Sequence, residues 1–257
     1  MWKRLINMIT LELIGEGATT KVYRDGDKAV KLYTNTPFIQ VENEAQMQSF
    51  SVEKGLPVPK VYGVREFGEN MIALDMEYIH GKHLLHDNMN KDERYTAIQT
   101  LVKLQCAVHS INAEGLPKQC SNIIRKIERN KYIDKNVINS LLLYIESLNT
   151  KFTNLCHGDF HPLNIMFDGE KYWIIDWVDA VVGSPVADAC RTYLIFKQFL
   201  LRYSGVYLRC FCKEAGVKEE DVLAWLPAVA AARMTENMDN KARTFLMKII
   251  NEWGLNQ

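Results

Sequence analysis

At 257 residues and 47% apolar content, the chain can bury a substantial core, which excludes an extended, disordered protein. Lysine plus arginine and aspartate plus glutamate stand at 31 each, so no overall positive field draws nucleic acid or an anionic membrane. Six cysteines, at Cys106, Cys120, Cys156, Cys190, Cys210 and Cys212, form no C-x-x-C knuckles and read as reduced thiols.

The first residues, Met1–Ile6, carry basic side chains, but the apolar run is short and leads to Glu12 rather than to a small-residue cleavage site. Nowhere does an apolar run approach the ~18 residues of a membrane span. A cytoplasmic location is expected.

Leu11 to Tyr78 reads mainly as short strands joined by turns. Leu11–Ile14, Lys21–Arg24 and Ala29–Tyr33 are separated first by a stretch bearing Gly15 and Gly17, then by the tight-turn signal Asp25-Gly26-Asp27. Phe38–Lys54 reads as a helix with Phe38, Val41 and Ala45 on one stripe, Met47 and Phe50 beside it, and Gly55 as its C-terminal cap. Leu56-Pro57-Val58-Pro59 is extended, because a residue before proline avoids helical backbone. Val61–Phe67 and Met71–Tyr78 flank Gly68-Glu69-Asn70 as a hairpin. After His80-Gly81 the character changes: Lys91–Ile111, Asn122–Leu148, Pro185–Tyr203 and Glu219–Trp253 carry helical periodicity. Residues 1–80 are thus expected to form a β-rich lobe and residues 81–257 a mainly helical one, with no low-complexity linker between them.

The sharpest signal is His157-Gly158-Asp159-Phe160-His161-Pro162-Leu163-Asn164, followed by Ile175-Asp176-Trp177. Ile165–Phe167 and Tyr172–Ile175 flank Asp168-Gly169-Glu170-Lys171 as a hairpin. A pairing centred near Gly169-Glu170 is expected to set Asn164 opposite Asp176, so that both side chains reach one metal. One carboxylate and one amide carbonyl suit Mg²⁺, which favours hard oxygens and keeps waters and phosphate oxygens in its shell. Asp159, just upstream, is placed to orient an acceptor hydroxyl and take its proton.

Asp159 and Asn164 repeat the D-x-x-x-x-N spacing of the kinase catalytic loop, and Asp176 stands where the later metal-binding aspartate does. Protein kinases generally carry arginine before the base and D-F-G at the second site, whereas this chain has Gly158 and Asp176-Trp177-Val178. In that form it resembles the aminoglycoside phosphotransferase and choline kinase family, from Ile14 to roughly Glu236. The resemblance implies an α+β, two-lobed protein-kinase-like fold, with a small antiparallel β-rich N-lobe that binds nucleotide and a larger, mainly helical C-lobe. It also implies Mg²⁺-dependent transfer of the γ-phosphate of ATP or GTP to a hydroxyl of a small acceptor. The expected acceptor is an aminoglycoside-type antibiotic or a related metabolite, with choline, other amino alcohols and sugars as alternatives.

By the same resemblance, Ile14–Tyr23 covers the phosphates: Gly15 and Gly17 permit close backbone approach, and Thr19 or Thr20 donates a hydroxyl, although the third glycine of the protein-kinase loop is absent. Lys31 resembles the phosphate-binding lysine, and Glu44 its ion-pair partner, with Glu42 as the competing assignment. Leu74–Gly81 resembles the segment that links the lobes, where backbone groups near Glu77 and Ile79 read the base. Gly183–Arg191 resembles the stretch after the metal site, in which Asp188 is expected to cap a helix. Asp179, Glu236 and Asp239 are candidates for an acidic surface facing a polycationic acceptor. Trp177, Trp225 and Trp253 read either as pocket lining or as core, and His109 as a packing position. Two other readings stay open: His157 and His161 as ligands of a hydrolytic zinc, and a binding-only pseudokinase, against which the retention of Asp159 beside Lys31, Asn164 and Asp176 counts.

Overall fold

A computed structural model describes residues 11–17, 20–148 and 151–255. The chain divides into two compact units, one of Met1–His86 with Leu163–Asp179, the other of Asp87–Pro162 with Ala180–Gln257.

The first unit opens with strands β1 (Glu12–Glu16), β2 (Thr20–Asp25) and β3 (Lys28–Thr34), continues through helix α1 (Phe38–Glu53), and adds β4 (Val61–Gly68), β5 (Met71–Glu77) and the short β6 (Lys82–His83). Antiparallel pairing gives one five-stranded sheet in the order β1-β2-β3-β5-β4. The connecting turns need left-handed backbone, and Gly26 (φ 61°) and Asn70 (φ 56°) supply it. α1 covers one face of the sheet, where Val41 and Ala45 pack with Tyr33, Ile72 and Leu74. Val30, Leu32 and Ala73 build a second cluster with Tyr23 and Phe67. α1 ends in a Schellman motif: Gly55, at φ 81°, donates its N–H to the Val52 carbonyl, and Leu56 donates to the Ser51 carbonyl. The extended Leu56–Pro59 stretch is then held against the helix by Gln48, whose Nε2 donates to the Pro59 carbonyl at 2.8 Å.

Next in the chain come α2 (Lys91–His109), α3 (Gln119–Glu128), α4 (Lys135–Ser147) and β7 (Asn154–Cys156), all in the second unit. A 3₁₀ turn at Pro162–Asn164 leads into the hairpin β8 (Ile165–Phe167) and β9 (Tyr172–Ile174), which pairs with β6 and so belongs to the first unit. β10 (Val181–Gly183) returns to the second unit and pairs with β7. It is followed by α5 (Pro185–Phe199), α6 (Leu201–Ala215), α7 (Glu219–Leu223), α8 (Leu226–Arg233) and α9 (Asn240–Gly254). The long helical stretches of the sequence are cut by caps. Asp134 accepts from the Asn136 N–H at the start of α4, and Asp239 accepts from the Ala242 N–H at the start of α9. Among the described residues no helix is long and apolar enough to cross a membrane.

Asp188 does not cap α5. Ser184 takes that role by accepting from the Ala187 N–H, and Pro185 occupies the first turn, where its missing N–H costs nothing. Asp188 is thereby free to point into the protein, where it is 1% exposed.

Candidate active site

Lys31 lies on β3 in the interior of the five-stranded sheet, opposite Val22 on β2 and Leu74 on β5. It is 6% exposed, so its charge needs partners. Its Nζ donates to Glu44 Oε1 and to Asp176 Oδ1, each at 2.8 Å. Glu44 reaches it from the buried face of α1, and the second oxygen of the same carboxylate accepts from the Tyr33 hydroxyl. Glu44 rather than Glu42 is the ion-pair partner. Burial opposes the Lys31 charge, but Glu44 and Asp176 outweigh it and hold the ammonium protonated well above the usual lysine range. Burial also pushes the Glu44 carboxyl up, against the pull of the Lys31 ammonium.

The β8–β9 hairpin delivers Asp176. Its loop is fixed by Asp168, whose Oδ1 accepts from the N–H groups of Glu170 and Lys171, both at 2.8 Å, while Oδ2 accepts from Trp173 Nε1. These bonds, the Lys171 N–H first, draw the Asp168 pKa down to about 2. With Phe167 opposite Tyr172 and Ile165 opposite Ile174, the register sets Asn164 opposite Ile175, whose N–H donates to the Asn164 carbonyl at 2.9 Å. The expected pairing of Asn164 with Asp176 is therefore one residue off, because a two-residue tip at Gly169-Glu170 leaves Asp176 beyond the last pair. Asp176 leaves the strand line through a left-handed backbone, φ 66°, an uncommon conformation for a residue with a side chain. Asn164 is buried, whereas the Asp176 side chain is 40% exposed. A buried amide and a half-exposed carboxylate at one end of a hairpin are hard-oxygen donors of the kind that suit magnesium.

Elsewhere in the first unit, Gly15 sits opposite Val22 just past an irregularity in the β1–β2 register, and the Gly17 N–H donates to the Thr20 carbonyl at 2.8 Å. Thr20 opens β2, and Thr19 lies outside the described residues. Glu77 ends β5, with its N–H bonded to the Lys60 carbonyl, and Ile79 is buried two residues on. Among the described residues none of these five positions bonds Lys31.

Asp159 belongs to the second unit, where α5 organises the loop that carries it. Gly158 (φ 82°) donates its N–H to Asp188 Oδ1 at 2.9 Å, and Thr192 Oγ1 donates to the Phe160 carbonyl at 2.8 Å. Between them Arg191 Nη2 donates to Asp159 Oδ1 at 3.0 Å, and His161 Nε2 lies 3.3 Å from Asp159 Oδ2. Asp188, Arg191 and Thr192 are spaced i, i+3, i+4, which puts all three on one helix face. Burial opposes the charge on Asp159, but the His161 bond and the Arg191 guanidinium overcome it and hold the carboxyl well below the usual range.

Behind the loop is a buried polar network. His109 Nε2 lies 2.9 Å from Asp188 Oδ2, Gln105 Nε2 donates to Thr192 Oγ1 at 3.1 Å, and the Tyr207 hydroxyl donates to Gln105 Oε1 at 2.6 Å. Burial opposes the Asp188 charge too, and the bond from His109 outweighs it and lowers the pKa. His109 is therefore a structural hydrogen-bonding group as well as a packing one. Sequence reasoning quoted Arg191 without giving it a role and missed Gln105, Thr192 and Tyr207. The available signal was three polar residues at helical spacing in the first half of α5.

Among the described residues, the group of three His, Cys and carboxylate ligands close enough to share an ion is His109, Cys156 and Asp188, which includes neither His157 nor His161 of the zinc reading. His157 is fully buried and its Nδ1 accepts from the Asp159 N–H. Trp177 is core, with its indole N–H bonded to the Ile174 carbonyl, and Trp225 is buried. All six cysteines are free. Of the three acids expected to face an acceptor, Glu236 is bonded to Arg191 Nη1 at 2.5 Å and Asp239 caps α9, while Asp179 is half-buried.

The sequence model of the phosphotransferase enzyme family matches residues 10–226 of the chain. No curated protein matches it in sequence. Among solved structures, a thermostable mutant of aminoglycoside phosphotransferase APH(4)-Ia, in ternary complex with AMP-PNP and hygromycin B, is similar over 97% of this chain and 96% of its own, with a TM-score of 0.73 and 15% identity. Choline kinase LicA from Streptococcus pneumoniae is similar over 98% of both chains, with a TM-score of 0.71 and 15% identity. The GDP complex of an aminoglycoside 2′-phosphotransferase-IIIa mutant is similar over 96% of this chain and 92% of its own, with a TM-score of 0.64 and 15% identity. At these identities the likeness establishes the kinase-like fold: an antiparallel sheet in the amino-terminal region and a helical carboxyl-terminal part.

Proposed function

Because the chain belongs to the phosphotransferase enzyme family, we propose that it is a magnesium-dependent small-molecule kinase that moves the γ-phosphate of ATP or GTP onto a hydroxyl. The observation that carries the reading is the Lys31 ammonium held between Glu44 and Asp176, both at 2.8 Å. A buried cation fixed at the end of the hairpin that bears the metal-ligand candidates is what a phosphate-binding site needs.

In this reading Lys31 binds nucleotide phosphates and Glu44 holds its side chain in place. Gly15, Gly17 and Thr20 contact the phosphates, with Thr19 outside the described residues, and backbone groups at Glu77 and Ile79 read the base. Asn164 and Asp176 hold the magnesium, which when bound offsets negative charge on the phosphate oxygens. Asp159 accepts a hydrogen bond from the acceptor hydroxyl and aims its oxygen at the phosphorus. Since the transition state of phosphoryl transfer is loose, orientation supplies much of the rate and the proton leaves late, so a carboxylate with a depressed pKa serves. A nucleotide donor and free thiols fit a cytoplasmic enzyme.

The acceptor class proposed is an aminoglycoside-type antibiotic or a related amino alcohol or sugar. Support comes from the two folds above whose names carry aminoglycoside and choline kinase activity. The test is a screen of ATP and GTP consumption against hydroxylated metabolites and antibiotics, hygromycin B and choline among them, with mass detection of product. A phosphorylated acceptor formed only with magnesium is the expected result. Tight magnesium-nucleotide binding with no transfer across the panel favours a binding module instead, and nucleotide-independent hydrolysis with bound zinc favours a metallohydrolase.

A further inference from the structure

We propose that Arg191 is a positioning residue for the phosphoryl acceptor, clamping Asp159 as a fixed anion while Glu236 anchors the guanidinium from the other side. The inference rests on the kinase reading above and adds to it the group that aims its acceptor-handling carboxylate.

The geometry is that of a bridge. Arg191 Nη2 donates to Asp159 Oδ1 at 3.0 Å and Nη1 donates to Glu236 Oε1 at 2.5 Å, so the two ends of one planar guanidinium hold two carboxylates. All three side chains are mostly shielded, at 15% exposure for Arg191, 26% for Asp159 and 27% for Glu236. The arginine has little freedom at its base, because its neighbours on α5, Asp188 and Thr192, are already bonded to Gly158 and Phe160 on either side of Asp159. Glu236 follows α8 and is also approached by Lys126 Nζ at 3.8 Å and Arg233 Nε at 3.9 Å, so its position is fixed by three cations.

The consequence for Asp159 is directional. With Oδ1 bonded to Arg191 and Oδ2 3.3 Å from His161 Nε2, both oxygens of the carboxylate are held in place. Titratable groups beside Asp159 include Arg191 and the imidazoles of His157 and His161, and Glu236, on the far side of Arg191, is in turn approached by Lys126 and Arg233. A carboxylate whose rotamer is set in this way keeps its oxygens in fixed directions, and a fixed direction is what orienting a hydroxyl for in-line attack requires. Charge balance leads to the same view: Glu236 is committed to Arg191, so it adds no free negative charge for a cationic acceptor.

The experiment is a pH titration of protein labelled with ¹³C at the aspartate carboxyls, with the Asp159 signal assigned by its loss in Asp159→Asn. It is run on the wild type, Arg191→Ala, Arg191→Lys and Glu236→Gln, alongside phosphoryl transfer from magnesium-ATP to the acceptor found by the screen. In Arg191→Ala the Asp159 midpoint should rise by about one pH unit or more, as expected for a carboxylate losing a contacting guanidinium. In the same variant kcat should fall roughly ten- to a hundredfold, with its acid limb shifted to higher pH and the nucleotide KM within about twofold of wild type. Arg191→Lys should restore the midpoint and part of the rate, and Glu236→Gln should keep the midpoint low while lowering kcat less.

A salt bridge that serves stability alone would lower the melting temperature but leave both the Asp159 midpoint and the pH–rate profile in place. That outcome in a folded Arg191→Ala protein, or, where that variant does not fold, a wild-type kcat in Arg191→Lys, overturns the inference and leaves the kinase reading standing. A wild-type transfer rate in Asp159→Asn removes the kinase role of Asp159 itself, and the inference with it.

Discussion

At the scale of single residues, Lys31 carries two loads that substitution can separate. It is buried against Glu44, so Lys31→Ala leaves a carboxylate in the interior without its cation and should destabilise the protein by about 3–5 kcal/mol in urea titrations. Lys31→Arg keeps the charge and should lose less stability. If Lys31 binds phosphates, both variants should also weaken a non-hydrolysable nucleotide, the alanine form by roughly ten- to a hundredfold, equivalent to one charge-assisted hydrogen bond. Unchanged affinity in a folded variant would move the phosphate site elsewhere. Asp176→Asn keeps the shape but removes the anionic oxygen, so magnesium-dependent turnover should nearly vanish, whereas Asn164→Ala should raise the magnesium needed for half-maximal rate and slow transfer less. Wild-type magnesium dependence in both would end the metal assignment.

At the scale of elements, the β8–β9 hairpin places Asp176, and Asp168 holds its tip together. The folded-state pKa of Asp168 is about 2, below the roughly 3.9 of a free aspartate, so its contribution to the hairpin is complete above pH ~4 and is lost as pH falls through 2. Acidification across that window should lower the protection of the Glu170 and Lys171 amides, measured against their intrinsic exchange rate at each pH, before the core strands open. Asp168→Ala should show the lowered protection already at pH 7, and Asp168→Asn, which keeps an acceptor oxygen, should show part of it. Protection that is indifferent to both pH and substitution would mean that the turn is held by something else. The hairpins were legible because Asp25-Gly26-Asp27 and Gly68-Glu69-Asn70 announce turns by residue type, and α1 because Gly55 stops it. The β8–β9 register was legible only to within one residue: the loop composition admits either pairing until the Asp168 side chain selects one, and that choice decides whether Asn164 faces Asp176 or Ile175. Asp188 was misplaced as a cap because the sequence gives Ser184 and Asp188 the same kind of signal four residues apart.

At the scale of the whole molecule, the fold class could be read from the change of character near His80, while the burial of polar groups could not. Lys31 was singled out in sequence by its resemblance to a phosphate-binding lysine, but its burial follows only from the pairing of β3 between two neighbours. Arg191 lies 32 residues from Asp159 and 45 from Glu236, distances at which no local pattern records a contact. Conversely, Asp159, Asn164 and Asp176 stood out in the sequence through their spacing and the family resemblance, and Asn164 and Asp176 lie at one end of the β8–β9 hairpin. The balance of 31 basic and 31 acidic residues leaves no global field to choose an acceptor. The most direct measurement is the single-turnover rate of phosphoryl transfer from magnesium-ATP to the acceptor identified by the screen, in wild type and in Asp159→Asn. The kinase reading predicts a fall of roughly two to four orders of magnitude at unchanged nucleotide affinity and fold. A near-wild-type rate in the folded variant at saturating magnesium-nucleotide would contradict it.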